Sequence, residues 1–178
     1  MNLNKSIKAR HLILLGMPAS GKSAVGRLLA DRLKRPFIDT DAYIEQKASL
    51  SVGCIFKEYG EKHFRLLEAM AVDDLASEPP SVIATGGGMP CFGDALKRLK
   101  AIGLTLYLEA DVDTLFNRII FSEERPLIAN KSEEEVRIYL ADTLLRREAF
   151  YRQSDLVIDV CGRSKKAIAR CVIELLPK

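Results

Sequence analysis

Residues Leu12-Ile13-Leu14-Leu15 run without a break into Gly16-Met17-Pro18-Ala19-Ser20-Gly21-Lys22-Ser23, and the helix-patterned Ala24-Val25-Gly26-Arg27-Leu28-Leu29-Ala30 follows at once. Few folds accommodate that order. A strand must deliver the chain to the loop, glycines must let backbone N–H groups wrap an anion, and a helix N-terminus must aim its partial positive charge at it. The spacing G-x-x-x-x-G-K-S, the Walker A pattern, adds a lysine that reaches β- and γ-phosphates and a hydroxyl that ligates magnesium. The candidate nucleotide contacts are therefore Gly16, Ala19, Ser20, Gly21, Lys22, Ser23 and Ala24. A turn rich in glycine for steric reasons would explain the glycines, but neither Lys22 nor Ser23.

Short apolar runs at residues 11–15, 36–38, 81–85, 105–108 and 156–159 are separated by helix-length stretches. Buried parallel strands with crossover helices produce that alternation, so the fold class is α/β with a doubly wound sheet. Ligands in such sheets sit beyond the carboxyl ends of the strands. Helical patterning is expected over 22–34, over 41–60 with a break near 49–51, and over 61–77. It returns over 91–102, 111–120, 132–151 and 164–176.

The strand ends carry the candidate chemistry. Asp39-Thr40-Asp41 closes the second apolar run. Taken alone this reads as a helix cap, since aspartate and threonine are routine caps. Beside a phosphate loop, one carboxylate can serve magnesium and the other a substrate hydroxyl. The third run offers glycine where a metal-side aspartate is expected, so Asp39 takes that role and Asp159, on the last strand, reads as structural. Arg65 and Glu68, three apart on a helix, are either a surface ion pair or a carboxylate clamp steadied by its own acid. Gly86-Gly87-Gly88 lets backbone approach a ligand closely, where a plain turn needs fewer glycines. The polar stretch 121–131, with Arg125, has the composition of a flap over phosphates or of an ordinary solvated loop.

Composition limits the alternatives. The chain of 178 residues is long enough for one domain with a full core and short for two. A net charge of +3 is too mild for a nucleic-acid binder, and no apolar run approaches the length of a membrane span. Cys54, Cys91, Cys161 and Cys171 are scattered, with only two histidines besides. That pattern argues against zinc and for a reducing compartment, so the expected location is the cytoplasm.

The order of these features, from the phosphate loop through Asp39-Thr40-Asp41, Phe64-Arg65-Leu66-Leu67-Glu68, Gly86-Gly87-Gly88 and Arg125-Pro126-Leu127 to Arg147 with Tyr151, resembles the shikimate kinases over about residues 10 to 160. The resemblance implies a nucleoside monophosphate kinase-like fold: a five-stranded parallel sheet in the order 2-3-1-4-5 flanked by helices. It also implies a substrate-binding insertion at about 40–70 and a lid at about 120–133, within a single domain over 1–178. The implied reaction moves the γ-phosphoryl of ATP, with Mg2+, to the 3-hydroxyl of shikimate.

Carried over by position, Lys22 holds phosphate, Ser23 and Asp39 serve the metal, and Asp41 binds the hydroxyl as candidate base. Arg65 and Arg147 grip the carboxylate, with Arg146 as the alternative to Arg147. Gly86, Gly87 and Gly88 line the ring, Arg118 stacks on adenine, and Arg125 swings in from the lid. The chain has Ala149 where the family often has proline, and residues 161–164 lack the proline commonly near adenine. A related kinase acting on gluconate needs the phosphate loop but not these carboxylate-gripping residues. A nucleotide-binding module without turnover does not need Lys22, Asp41 and Arg125 together. The partners expected are shikimate and ATP, with no nucleic acid and no membrane, for a monomer.

Overall fold

The computed structural model describes residues 10–120 and 132–176. The first strand, β1 (His11–Leu15), is buried along its whole length, so both its faces are covered and its apolar run needs no alternation. Helix α1 (Lys22–Leu33) returns the chain to β2 (Phe37–Asp39). Two helices follow, α2 (Thr40–Ala48) and α3 (Val52–Leu75), before β3 (Val82–Ala84). A short 3-10 turn (Met89–Cys91) and α4 (Ala95–Ile102) lead to β4 (Gly103–Glu109). Then come α5 (Val112–Ile120), α6 (Glu133–Tyr151), β5 (Leu156–Asp159) and α7 (Lys165–Leu175).

All strand pairs are parallel, and the sheet order is β2-β3-β1-β4-β5, as the resemblance implies. The chain moves from β1 outward to β2, returns to β3, then crosses to β4 on the far side of β1. That reversal opens a crevice at the carboxyl end of β1, where the phosphate loop begins. Helices α1 and α7 pack on one another, while α4 packs against β4 and α3.

The strands lie within two residues of the runs that predicted them, but one helical expectation changes. Residues 91–102 do not form one helix: Pro90 sits in the 3-10 turn, Phe92 is extended and Gly93 has φ +55°, so regular helix begins only at Ala95. Within residues 52–75 the backbone leaves the helical region at Gly60 (φ 78°, ψ 171°), so α3 is two helical pieces joined by a kink where the division between 41–60 and 61–77 is expected. The C-terminus of α3 is anchored by a buried histidine. His11 Nδ1 accepts the Ser81 N–H at 3.1 Å, which leaves Nε2 to donate to the Leu75 carbonyl at 2.9 Å. One imidazole thus ties β1, α3 and the entry to β3 together.

Candidate active site

The phosphate loop is built from backbone conformations that most side chains avoid. Gly16 has φ +141°, and a Cβ there would lie 2.8 Å from the Leu108 carbonyl oxygen, which cannot move. Ala19 (φ 63°) and Gly21 (φ 99°) are also left-handed. Gly21 is the N-cap of α1 and supplies no side-chain cap, so the first-turn N–H groups stay open toward the crevice. Lys22 is buried and folds back on the loop, donating to the carbonyls of Gly16 at 3.0 Å and Met17 at 2.7 Å. Burial pushes its ammonium down to about 8, against the opposing pull of Asp41 and Asp39.

Asp39 caps its segment and also reaches the phosphate loop. Its Oδ1 accepts the Asp41 N–H at 3.2 Å and so caps α2, while its Oδ2 accepts the Ser23 hydroxyl at 2.7 Å. Thr40 is not the cap. It is fully buried, and its Oγ1 accepts the Gly86 N–H at 2.9 Å, joining the end of β2 to the glycine turn after β3. Asp41 stands between them. Its Oδ1 is buried and has no hydrogen-bond partner among the described residues. Burial, reinforced by Asp39, raises its carboxyl above the ordinary carboxylate range, with Lys22 pulling the other way. A Cβ on Gly86 would come within 2.5 Å of that oxygen, so only glycine leaves Asp41 its place.

On α3, Arg65 Nη1 donates to Glu68 Oε2 at 2.7 Å. Glu68 is only 3% exposed, which rules out the surface-pair reading. Burial pushes the Glu68 carboxyl up, against the pull of Arg65. Gly88 lies against the Arg65 guanidinium and Gly87 against Pro18 and Arg147. The Gly87 carbonyl accepts the buried Tyr151 hydroxyl at 2.5 Å, which pins the turn to the end of α6. Of the two adjacent arginines, Arg147 reaches the crevice, while Arg146 turns to Thr143 on its own helix.

These side chains converge. Lys22, Ser23, Asp39, Asp41, Arg65 and Arg147 line one cavity of about 380 Å³ with the three glycines. Its apolar wall includes Phe56 and Phe64, whose rings meet at 4.7 Å across the Gly60 bend. Ser20, Gly21 and Ala24 instead line a neighbouring cavity of about 280 Å³ with Arg118. Arg118 donates to the Ser20 carbonyl at 2.9 Å and the Val160 carbonyl at 3.0 Å, so it is fixed between phosphate loop and β5. Arg163 and Lys165 share that second cavity, and no motif had pointed to either. Asp159 lies outside both, accepting the Cys161 N–H at 2.9 Å. Arg125 and most of the expected lid lie outside the described residues.

No cluster of three acidic, histidine or cysteine side chains that could hold a metal occurs among the described residues. The Ser23–Asp39 pair beside the open helix N-terminus suits Mg2+, which keeps several waters and takes substrate phosphates as ligands. No described helix is long and apolar enough to cross a membrane.

The family model for shikimate kinase matches residues 18–177. A shikimate kinase of Azobacteroides pseudotrichonymphae is 36% identical over 172 residues, covering 95% of this chain and 99% of that protein. The crystal structure of shikimate kinase from Bacteroides thetaiotaomicron superposes with a TM-score of 0.89 at 32% identity, covering 93% and 97% of the two chains. Shikimate kinase from Acinetobacter baumannii, in complex with shikimate, gives 0.86 at 30% identity, covering 98% and 96%. A gluconokinase from Sinorhizobium meliloti gives 0.60 at 17% identity, covering 92% and 89%, a likeness of fold alone.

Proposed function

The chain belongs to the shikimate kinase family, and on that footing we propose that it transfers the γ-phosphoryl group of ATP to the 3-hydroxyl of shikimate. The products are shikimate 3-phosphate and ADP, on the route to aromatic amino acids. The observation that carries the reading is the buried Oδ1 of Asp41, unpartnered among the described residues, in one cavity with Lys22, Arg65 and Arg147. A carboxylate oxygen left without a donor is costly unless a ligand supplies one, and an acceptor hydroxyl does so.

Phosphoryl transfer asks a protein chiefly for positioning and charge neutralisation. Arg65 and Arg147 hold the acceptor's carboxylate, and the glycine turn lets its ring lie against backbone. Asp41 accepts the hydroxyl's hydrogen bond and then its proton, as the oxygen bonds to the γ-phosphorus and the bond to the bridging oxygen of ADP breaks. Its raised affinity for a proton suits that role. Lys22 leaves the loop carbonyls for the β- and γ-phosphates. Ser23 and Asp39 would hold Mg2+, which neutralises charge on the phosphate oxygens when bound. Arg118 flanks the base in the neighbouring cavity, and Arg125 completes the phosphate contacts from the lid. Helices α2 and α3 serve as the acceptor-binding insertion of a single domain. Four free cysteines fit a reducing cytoplasm, and the monomer is the form proposed.

The test is ADP release from MgATP with shikimate, with gluconate and with no acceptor. Release that depends on shikimate supports the reading, and equal rates in all three refute it. A rate that depends on gluconate instead would favour the other small-molecule kinase.

A further inference from the structure

Arg65 separates two cavities. It and Glu68 line the acceptor cavity and also a second one of about 230 Å³ behind it, which Phe92 lines and the acceptor cavity does not include. The guanidinium carbon sits 3.7 Å from the centroid of the Phe92 ring, a stacking contact. Phe92 comes from the same loop as the glycine turn: Gly86, Gly87 and Gly88 face the acceptor cavity, the 3-10 turn reverses the chain, and the extended Phe92 reaches behind Arg65. Two in-plane donors are taken, Nη1 by Glu68 and Nη2 by Glu61, both at 2.7 Å, while the buried Nε has no partner among the described residues. The Glu61 carboxylate is 57% exposed and its hold is screened by water. With Nη1 held by the buried Glu68, the ring restrains the guanidinium plane from turning about that bond into the space behind it.

We propose that Phe92 is a positioning residue for acceptor binding: stacked on Arg65 outside the acceptor cavity, it fixes the angle at which the guanidinium meets the acceptor's carboxylate. The proposal rests on the reading of Arg65 as a carboxylate ligand. Phe92 is 40% exposed and outside the buried core, so its replacement leaves folding intact.

The experiment compares steady-state kinetics of Phe92→Leu, Phe92→Ala and Phe92→Tyr, each also combined with Arg65→Ala, with shikimate and ATP varied separately. Leucine keeps bulk without an aromatic face and tyrosine keeps the face. The expected result is an acceptor KM raised roughly three- to tenfold in the leucine and alanine variants, from the usual strength of such a stack. Tyrosine restores the acceptor KM, and kcat and the KM for ATP stay close to those of the parent protein. In the Arg65→Ala background the Phe92 effect disappears. An acceptor KM unmoved by Phe92→Leu while Arg65→Ala raises it overturns the proposal, as does a change in all kinetic constants together. An acceptor KM unmoved by Arg65→Ala overturns the carboxylate reading, and the proposal with it.

Discussion

Replacing Thr40 by valine tests whether the end of β2 and the glycine turn are one built unit. The hydroxyl is fully buried and accepts the Gly86 N–H at 2.9 Å. Valine has nearly the same shape, so no cavity opens. What changes is a buried donor left without a partner, a loss of about 1–3 kcal/mol. The added methyl group offsets this by up to about 0.8 kcal/mol. The net cost is about 0.2–3 kcal/mol, and with a urea slope of about 2 kcal/mol per molar the unfolding midpoint falls by about 0.1–1.5 M. Equilibrium unfolding in urea without ligands measures it, with Thr40→Ser, which keeps the hydroxyl, as the control. Because Gly86 closes over Asp41, the valine variant also raises the KM for shikimate. A midpoint equal to or above that of the parent at an unchanged slope would overturn this.

Two further outcomes concern protons. Lys22 titrates near 8 in the free protein, and phosphates hold it charged, so ATP affinity falls as pH rises through that value and binding takes up a proton. Calorimetric titrations at about pH 9 in buffers of different ionisation enthalpy should give unequal heats, and equal heats would contradict the assignment. His11 is kept neutral, first by burial, so its proton affinity is lower folded than unfolded. Its contribution to stability is complete above the ordinary imidazole value of about 6.5 and is lost as pH falls below it. Thermal unfolding of the parent and His11→Gln between about pH 5 and 8 should show the steeper acid decline in the parent, and parallel curves would count against it.

The sheet was legible because burial on both faces writes a strand as an unbroken apolar run, as in Leu12 to Leu15. The phosphate loop was legible because its chemistry fixes residue types at a fixed spacing. Element edges were less so. The helical pattern of 91–102 overrode Pro90 and Gly93, whose backbone demands decide where α4 can start. Asp39 read as either cap or metal-side carboxylate because a sequence cannot show that two oxygens of one side chain do different work. Thr40 bonding to Gly86, Tyr151 to Gly87 and Phe92 stacking on Arg65 all join distant segments through contacts with no local signature. Arg146 and Arg147 could be told apart only once the helix phase of α6 was fixed.

In the proposed reaction the Asp41 Oδ1, unpartnered among the described residues, receives the acceptor's hydroxyl and proton. Asp41→Asn tests it most directly, by turnover with shikimate alongside the dissociation constants of ATP and shikimate. Turnover is predicted to fall at least about 100-fold, the usual loss on removing a general base, with both ligands still bound nearly as tightly. Near-normal turnover in that variant would contradict the claim.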